Sequence, residues 1–337
     1  LRCPGTAFTV DVWVEPTPTV YFVPAQDTIC DNEVTDIELR SNNHPTNPIR
    51  FDYTLTYNAD SVSVTNMNAV RTGYVTGGRI SERLDNLGTN AQLVTFNVTP
   101  YTVTGNGSLR CPGTAFTVDV WVEPTPRVFG SIDDDDICNN TLITYTLSSP
   151  TVATVGIRFN INVINDYPTE ITGHSDHANI ALPFSHSEGL SNSGDTARMI
   201  MYVISPFLLD GNNNPKCPGI NDTIKIWVNP TPRATPINAI PEMCYGESTM
   251  ITLNSPTVMT SGVIEFNYNT TVSDPGIVGD MPVQINRQVG EQLIFDYENN
   301  TDTIHSVFYH ITPVNNISGC LARSEERRVG KECRSRW

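Results

Sequence analysis

The segment that decides the fold is LRCPGTAFTVDVWVEPTP, residues 1–18, which recurs letter for letter at residues 109–126. A degenerate third version, CPGINDTIKIWVNPTP, occupies residues 217–232. Along FTVDVWV, residues 8–14, apolar and polar side chains alternate with the period of a β-strand that has one buried face. We therefore predict a tandem array in which each unit ends with this strand and a Pro-Thr-Pro tag.

The cysteines mark the period of the array. A first set opens the recurring segment and then continues at intervals of 108, 106 and 103 residues: Cys3, Cys111, Cys217 and Cys320. A second set follows the first by 27 residues each time: Cys30, Cys138 and Cys244. Because this spacing extends well beyond the copied segment, the whole unit repeats.

The remaining pattern indicates an all-β protein. Alternating runs at residues 94–98, 200–204 and 307–311 each end two residues later, at Pro100, Pro206 and Pro313, where we expect the missing N–H to stop the strand. Further strands are predicted at residues 34–39, 49–57, 142–147, 156–163, 248–253 and 263–268. No window has a sustained helical period. Short strands with Asn, Gly and Pro turns are typical of an antiparallel immunoglobulin-like β-sandwich.

The proline tags predict the domain boundaries. Residues 1–18 are expected to be the last strand of a truncated upstream repeat, 19–126 and 127–232 complete repeats, and 233–322 a repeat without its final strand. Short, stiff proline joints predict a rod or bent rod. Residues 323–337 change abruptly to dense alternating charge and resemble a translated sequencing adapter, so we exclude them from fold and function.

The charge excludes several partners. The chain has 20 Lys and Arg against 36 Asp and Glu, a net charge of −16, which becomes −19 without residues 323–337. Such acidity repels nucleic acid and anionic lipid and is typical of a secreted surface. No stretch approaches the roughly 20 apolar residues of a membrane span.

Cysteines without CxxC or His/Cys ligand spacing predict a disulfide framework in an oxidising compartment. One scheme pairs them within units: Cys30–Cys111, Cys138–Cys217 and Cys244–Cys320. The other pairs them across joints, starting with Cys3–Cys30, and requires a long reach. The first scheme meets a difficulty if the two cysteines of a unit lie at opposite ends of the sandwich. Counting leaves both schemes open.

A set of motifs in fixed order carries a family resemblance. TIC or DIC contains the second-set cysteine, strands end in VTP, ISP or ITP, and CPG precedes a closing VxVxPTP. Together they resemble the PKD-like, immunoglobulin-like repeats of Bacteroidota gliding-motility-associated and adhesin-like surface proteins. The resemblance implies a cell-surface or secreted protein, associated with the outer membrane and exported by the type IX pathway. Its implied partners are neighbouring repeats, surface glycans or other cell-surface proteins.

Other residues suggest possible sites. His174, His177, His186 and Glu188 are the densest group of possible metal ligands, although an exposed polar loop is favoured over a metal site. Calcium is a second possibility at a run of carboxylates, for which a solvated turn is favoured: Asp133, Asp134, Asp135 and Asp136. The closing strands carry Trp13, Trp121 and Trp227, which are expected to pack between domains or, alternatively, to stack on a sugar.

No enzyme motif is present in this sequence, and we expect no catalytic residue and no cofactor. The leading hypothesis is a non-catalytic structural or adhesive stalk segment. The alternatives are a carbohydrate-binding accessory array of a secreted hydrolase and, third, part of the enzyme itself.

Overall fold

The computed structural model describes residues 2–23, 28–65, 71–317 and 320. These residues form β-strands and no helix, which confirms the predicted all-β fold. The described part of the chain therefore holds no helix of the length and apolar character needed to cross a bilayer. The tail at 323–337 lies outside the described residues.

The chain divides into two compact units. Unit 1 comprises Leu1–Val128, Ser149–Phe159 and Ser205–Asn221. Unit 2 comprises Phe129–Ser148, Asn160–Ile204 and Asp222–Trp337. The domain boundaries after residues 18, 126 and 232 stay a prediction.

Residues 19–126 form a β-sandwich. Its strands are β1 (Tyr21–Val23), β2 (Thr28–Ile29), β3 (Glu33–Val34), β4 (Ile37–Arg40), β5 (Ile49–Thr56), β6 (Val62–Val64), β7 (Arg71–Val75), β8 (Arg79–Ile80), β9 (Arg83–Asn86), β10 (Gln92–Val103), β11 (Leu109–Pro112) and β12 (Phe116–Val122). The larger sheet has the order β2-β12-β10-β5-β7, with β11 paired to β10, and the smaller sheets are β1-β4-β8 and β3-β9-β6. Alternate residues of both sheet groups meet in one core, which includes Leu39, Phe51, Leu84 and Phe96.

Residues 127–232 repeat this pattern. Their strands are β13 (Phe129–Ile132), β14 (Asp136–Ile137), β15 (Thr141–Ser148), β16 (Ile157–Ile164), β17 (Ile171–Thr172), β18 (His177–Ile180), β19 (Phe184–Asn192), β20 (Arg198–Leu209), β21 (Pro215–Pro218) and β22 (Asp222–Val228). One sheet has the order β13-β15-β19-β17 and the other β14-β22-β20-β16-β18, with β21 paired to β20.

Residues 233–317 contain the remaining described strands. They are β23 (Ile237–Asn238), β24 (Ile251–Thr252), β25 (Ile264–Val272), β26 (Ile277–Gly279), β27 (Gln284–Gln288), β28 (Gln292–Leu293), β29 (Tyr297–Asn299) and β30 (Val307–Asn315). The sheets are β23-β24-β28, β27-β25-β30 and β26-β29. Phe266, Tyr268 and Tyr309 belong to their common core.

The prediction that strands stop at Pro100, Pro206 and Pro313 is wrong, because β10, β20 and β30 each continue past the proline. On one side of β10, Val98 pairs with Phe116 of β12 and Tyr101 pairs with Pro112 of β11, so Pro100 lies opposite the gap between these two strands. The missing N–H therefore breaks no ladder bond, while the carbonyl of Pro100 still accepts the N–H of Gly113 at 2.8 Å.

Residues 8–14 form no strand, although their sequence is identical to that of β12. β12 pairs with β10 on one side and with β2 on the other. The copy at 8–14 has no such neighbour among the described residues, and Phe8 is 92% exposed. The same letters thus form a strand only where another strand supplies the hydrogen bonds.

Candidate functional site

The most regular polar features of the molecule surround the Pro-Thr-Pro tags. We call each such region a joint. The first joint comprises residues 15–19 and 41–46, the second 123–127 and 149–154, and the third 229–233 and 255–260. Each joins the segment that ends in the tag to a loop that begins 11 residues after the second-set cysteine of the next repeat.

The residue before each tag accepts a backbone N–H from a threonine 31 positions later. The pairs are Glu15 with Thr46 at 2.9 Å, Glu123 with Thr154 at 3.1 Å and Asn229 with Thr260 at 2.9 Å. Glu123 is fully buried, and the Thr154 hydroxyl also donates to it. Because a buried carboxylate is costly unless hydrogen-bonded, these contacts both satisfy Glu123 and fix the loop.

The residue after each tag donates its N–H to a side chain 24 positions later. The pairs are Thr19 with Asn43 at 2.7 Å, Arg127 with Thr151 at 2.9 Å and Arg233 with Thr257 at 2.9 Å. In the second and third joints the acceptors belong to the same motif, Ser-Pro-Thr-Val-x-Thr. The sequence analysis missed this motif, whose exact spacing from the tag was the available signal.

The valine of that motif adds a short parallel bridge to the preceding repeat. Val152 donates to the carbonyl of Thr89 and accepts the N–H of Ala91, both at 2.8 Å. Val258 makes the same two bonds, also at 2.8 Å, with Asp195 and Ala197. The second and third joints are therefore held by backbone as well as side-chain bonds.

The glycine of CPG has a steric role at the tags. A Cβ at Gly113 would lie 1.9 Å from the carbonyl oxygen of Pro18, and a Cβ at Gly219 would lie 2.2 Å from that of Pro126. The buried last proline of the tag thus occupies the space that any side chain would need. The N–H of Ile220 also donates to the Pro126 carbonyl at 2.9 Å. The CPG motif is explained by this close backbone approach.

Two disulfides link successive repeats: Cys30–Cys217, with a Cα separation of 5.3 Å, and Cys138–Cys320, with 5.6 Å. All the predicted pairs are therefore wrong: Cys30–Cys111, Cys138–Cys217, Cys244–Cys320 and the alternative Cys3–Cys30. Cys111 is a free, half-buried thiol and Cys3 a free, exposed one, while Cys244 is exposed.

Strand topology explains the correction. β2 runs parallel to the end of β12, with Thr28 opposite Trp121, so Cys30 lies where the closing strand leaves the sandwich. Cys111 lies in β11, before the closing strand begins, which places it at the other end of the same repeat. The corresponding cysteine of the next repeat, Cys217, is the one within reach, and the adjacent Lys216 ammonium donates to the carbonyl of Thr28 at 3.1 Å.

The residue after each paired second-set cysteine also holds the tag. The Thr125 hydroxyl donates to Asp31, and Asn139 donates to the Thr231 hydroxyl at 2.8 Å. Each of these tags is thus fixed from both sides, by the repeat that it leaves and by the loop of the repeat that it enters. Proline alone is not what restrains the chain here.

The acidic run is divided between two environments. Asp136 lies in β14 and accepts hydrogen bonds from Asn229 at 2.5 Å and from the Thr260 hydroxyl at 2.7 Å, so it contacts both halves of the third joint. Asp133, Asp134 and Asp135 are exposed. Binding of calcium by this run stays a prediction.

The tryptophans lie on the outward side of the closing strands. Trp121 and Trp227 are 38% and 41% exposed, and Trp13 lies in the unpaired segment. Their predicted packing between domains, or stacking on a sugar, stays a prediction.

Within the histidine group, the structure brings His177, His186 and Glu188 together. His174 instead places its Nε2 3.0 Å from Asn165 Nδ2.

Sequence comparison identifies the first complete repeat. Residues 27–126 match the family model of the PKD-like domain. The predicted resemblance is confirmed for this stretch, and the match ends at the last proline of the second tag. The first and second joints therefore lie at the two ends of the stretch that matches this model.

No curated protein matches the chain. Among solved structures, the chain is similar to the Escherichia coli adhesin FdeC at 12% identity, with 95% of this chain and 100% of that chain covered and a TM-score of 0.33. This likeness is too distant to inform fold or function.

Proposed function

We propose that this chain is a non-catalytic stalk segment of a large secreted or cell-surface protein, in which PKD-like repeats hold a distal binding or anchoring domain away from the cell. The observation that carries the proposal is the repetition of one joint. Successive tags make the same hydrogen bonds at separations of 31 and 24 residues, and disulfides cross the second and third joints. Restraints placed between repeats serve the spacing of repeats rather than a pocket.

The disulfides also support an extracellular or cell-surface location, since such bonds persist in oxidising compartments. We assign the parent protein to the adhesion or gliding-motility-associated class and its export to the type IX pathway, because the ordered motifs resemble those repeats. Neighbouring repeats are its first partners, and surface glycans or other cell-surface proteins are contacts of the parent protein.

Small-angle X-ray scattering of the oxidised chain tests the stalk. A compact globule of about 320 residues has a radius of gyration of about 20 Å. Three beads of about 106 residues in line, spaced by the roughly 40 Å length of a twelve-residue strand, have about 35 Å. A measured value near 35 Å supports the proposal, and a value near 20 Å excludes an extended stalk.

A carbohydrate-binding array is the second candidate, and the half-exposed indoles of Trp121 and Trp227 are the observation in its favour. A glycan array probed with the full chain separates the two functions, since a spacer binds no glycan. Binding that is lost in Trp121→Ala with an unchanged radius of gyration would favour the second candidate.

A further inference from the structure

Two buried glutamates occupy equivalent positions in the first two complete repeats. Glu82 and Glu188 each lie four residues before an asparagine, Asn86 or Asn192, whose Nδ2 donates to the closing strand of its repeat at 2.8 Å. Both glutamates are buried. Hydrogen bonds and a nearby positive charge both lower the cost of burying such a carboxylate.

In the PKD-like domain, Arg71 supplies that charge. Its guanidinium forms an ion pair with Glu82, and the Arg71 side chain is only 12% exposed. The Tyr53 hydroxyl donates a further hydrogen bond to Glu82 at 2.6 Å. This glutamate is therefore both charge-balanced and hydrogen-bonded.

Glu188 has the hydrogen bonds without the arginine. The Tyr202 hydroxyl donates to its Oε1, and the Ser175 hydroxyl donates to its Oε2 at 2.8 Å. Within the described part of the chain, the only basic side chain in ion-pair range is His186, 3.5 Å away. An imidazole balances a carboxylate only when it is protonated or bears a cation.

A second histidine completes the group. His177 begins β18, whereas His186 and Glu188 are alternate residues of β19 and so share one face. One ligand atom from each of the three lies within 4.8 Å of the others. A tetrahedral zinc site with bonds of about 2.0–2.1 Å separates its ligand atoms by about 3.4 Å, so small side-chain rotations close the observed group around an ion.

The Ser175 hydroxyl lies between the three ligands. Its Oγ is 3.3 Å from His177 Nε2, 3.5 Å from His186 Nε2 and 2.8 Å from Glu188 Oε2. The three ligand groups thus converge on one polar point. Two imidazoles with one carboxylate is a ligand set that zinc uses, whereas calcium and magnesium prefer oxygen throughout.

The surroundings fit a metal ligand set. The His186 ring packs edge-on against Tyr145, with centroids 5.7 Å apart, while its side chain remains 31% exposed and leaves a route from solvent. The Tyr145 hydroxyl is buried and has no hydrogen-bond partner among the described residues.

We propose that His177, His186 and Glu188 bind one zinc ion, with water in the fourth position. The ion supplies the positive charge that Arg71 supplies to Glu82 in the neighbouring repeat, and it cross-links β18 to β19. The site is independent of the stalk function and adds a metal-dependent element to one repeat of the array.

Isothermal titration of the full chain with zinc, with thiols alkylated, tests the proposal. We expect one zinc per chain in the parent and in His174→Ala, whose imidazole lies in the same loop but contacts Asn165. His177→Ala and His186→Ala lose this uptake. Ser175→Ala, which removes one hydrogen bond from the ligand Glu188, binds about 10-fold more weakly.

Cobalt(II) absorption of the parent chain gives a readout that does not depend on the folding of any variant. An intense visible spectrum, characteristic of four-coordinate cobalt, is expected and is displaced by zinc. The proposal is overturned by a parent that takes up no zinc at millimolar metal, by His174→Ala losing uptake as fully as His177→Ala, or by a weak six-coordinate cobalt spectrum.

Discussion

The overlapping disulfides predict how far the molecule extends under force. Cys30–Cys217 encloses one stretch of chain and Cys138–Cys320 another, and the two stretches share residues 138–217. The perturbation is to remove the disulfides one at a time, with the double variants Cys30→Ser/Cys217→Ser and Cys138→Ser/Cys320→Ser. A fourth chain carries all four substitutions.

The covalent path gives the magnitude. In the oxidised parent, tension between residues 30 and 320 crosses one disulfide, runs back along the 79 residues from Cys217 to Cys138 and crosses the other. At about 3.5 Å per residue, complete unfolding extends this path to about 280 Å. Without Cys30–Cys217 the path has 108 residues and reaches about 380 Å, and without both disulfides its 290 residues reach about 1000 Å.

Optical tweezers, with handles fused to the chain ends so that no thiol is used, measure the contour length after full unfolding. Residues outside 30–320 contribute equally to every variant, so differences between variants are the test. Cross-repeat pairing requires a gain of about 700 Å when all four cysteines are replaced. The reasoning is refuted by an oxidised parent that reaches about 1000 Å, or by about 190 Å between residues 30 and 320, the length allowed by pairing within units.

Three predictions concern stability, each measured by urea unfolding. Glu123→Ala removes a fully buried acceptor at the second joint and lowers the free energy of unfolding by about 2 kcal/mol. Glu15→Ala, at a partly exposed position of the first joint, is the control, and an equal loss in this variant would contradict the prediction. Arg71→Met leaves Glu82 buried without its cation and lowers the free energy of unfolding by about 3 kcal/mol. The double variant Arg71→Met/Glu82→Leu restores this stability, and a double variant that stays as unstable as Arg71→Met counts against the charge-balance explanation. Burial and the hydrogen bond to Glu82 raise the pKa of Tyr53, so the unfolded chain loses this proton above about pH 10 while the folded chain keeps it. The stabilisation is complete below that pH and decreases above it, with a shallower decrease expected for Tyr53→Phe.

Some strands lie where the sequence predicted them, and others are shorter or divided. The predicted strand at 49–57 corresponds to β5, and that at 142–147 to β15. The prediction at 248–253 shrinks to the two residues of β24, and the one at 34–39 breaks into β3 and β4. In the second case the Thr35 hydroxyl donates to the carbonyl of Ile80, a contact between distant residues that no local pattern contains.

The joints were predictable in part. The tags, the cysteine period and the recurring segment can be read directly from the sequence. The contacts of those residues depend on the end of the sandwich at which each residue lies, which the sequence does not show. Cys30 and Cys111 are closer in sequence than Cys30 and Cys217, yet only the latter pair forms a disulfide. The proposed zinc ligands show the same limit, because His174 is three residues from His177 in sequence but does not belong to the group whose ligand atoms lie within 4.8 Å of one another.

Because the two disulfide loops overlap, together they enclose every residue from Cys30 to Cys320, which affects how the protein responds to extracellular proteases. A protease that cuts the backbone once at any point between Cys30 and Cys320 cuts inside at least one closed loop. The two pieces stay covalently attached through a sulfur bridge, so a molecule nicked once in this region is not severed.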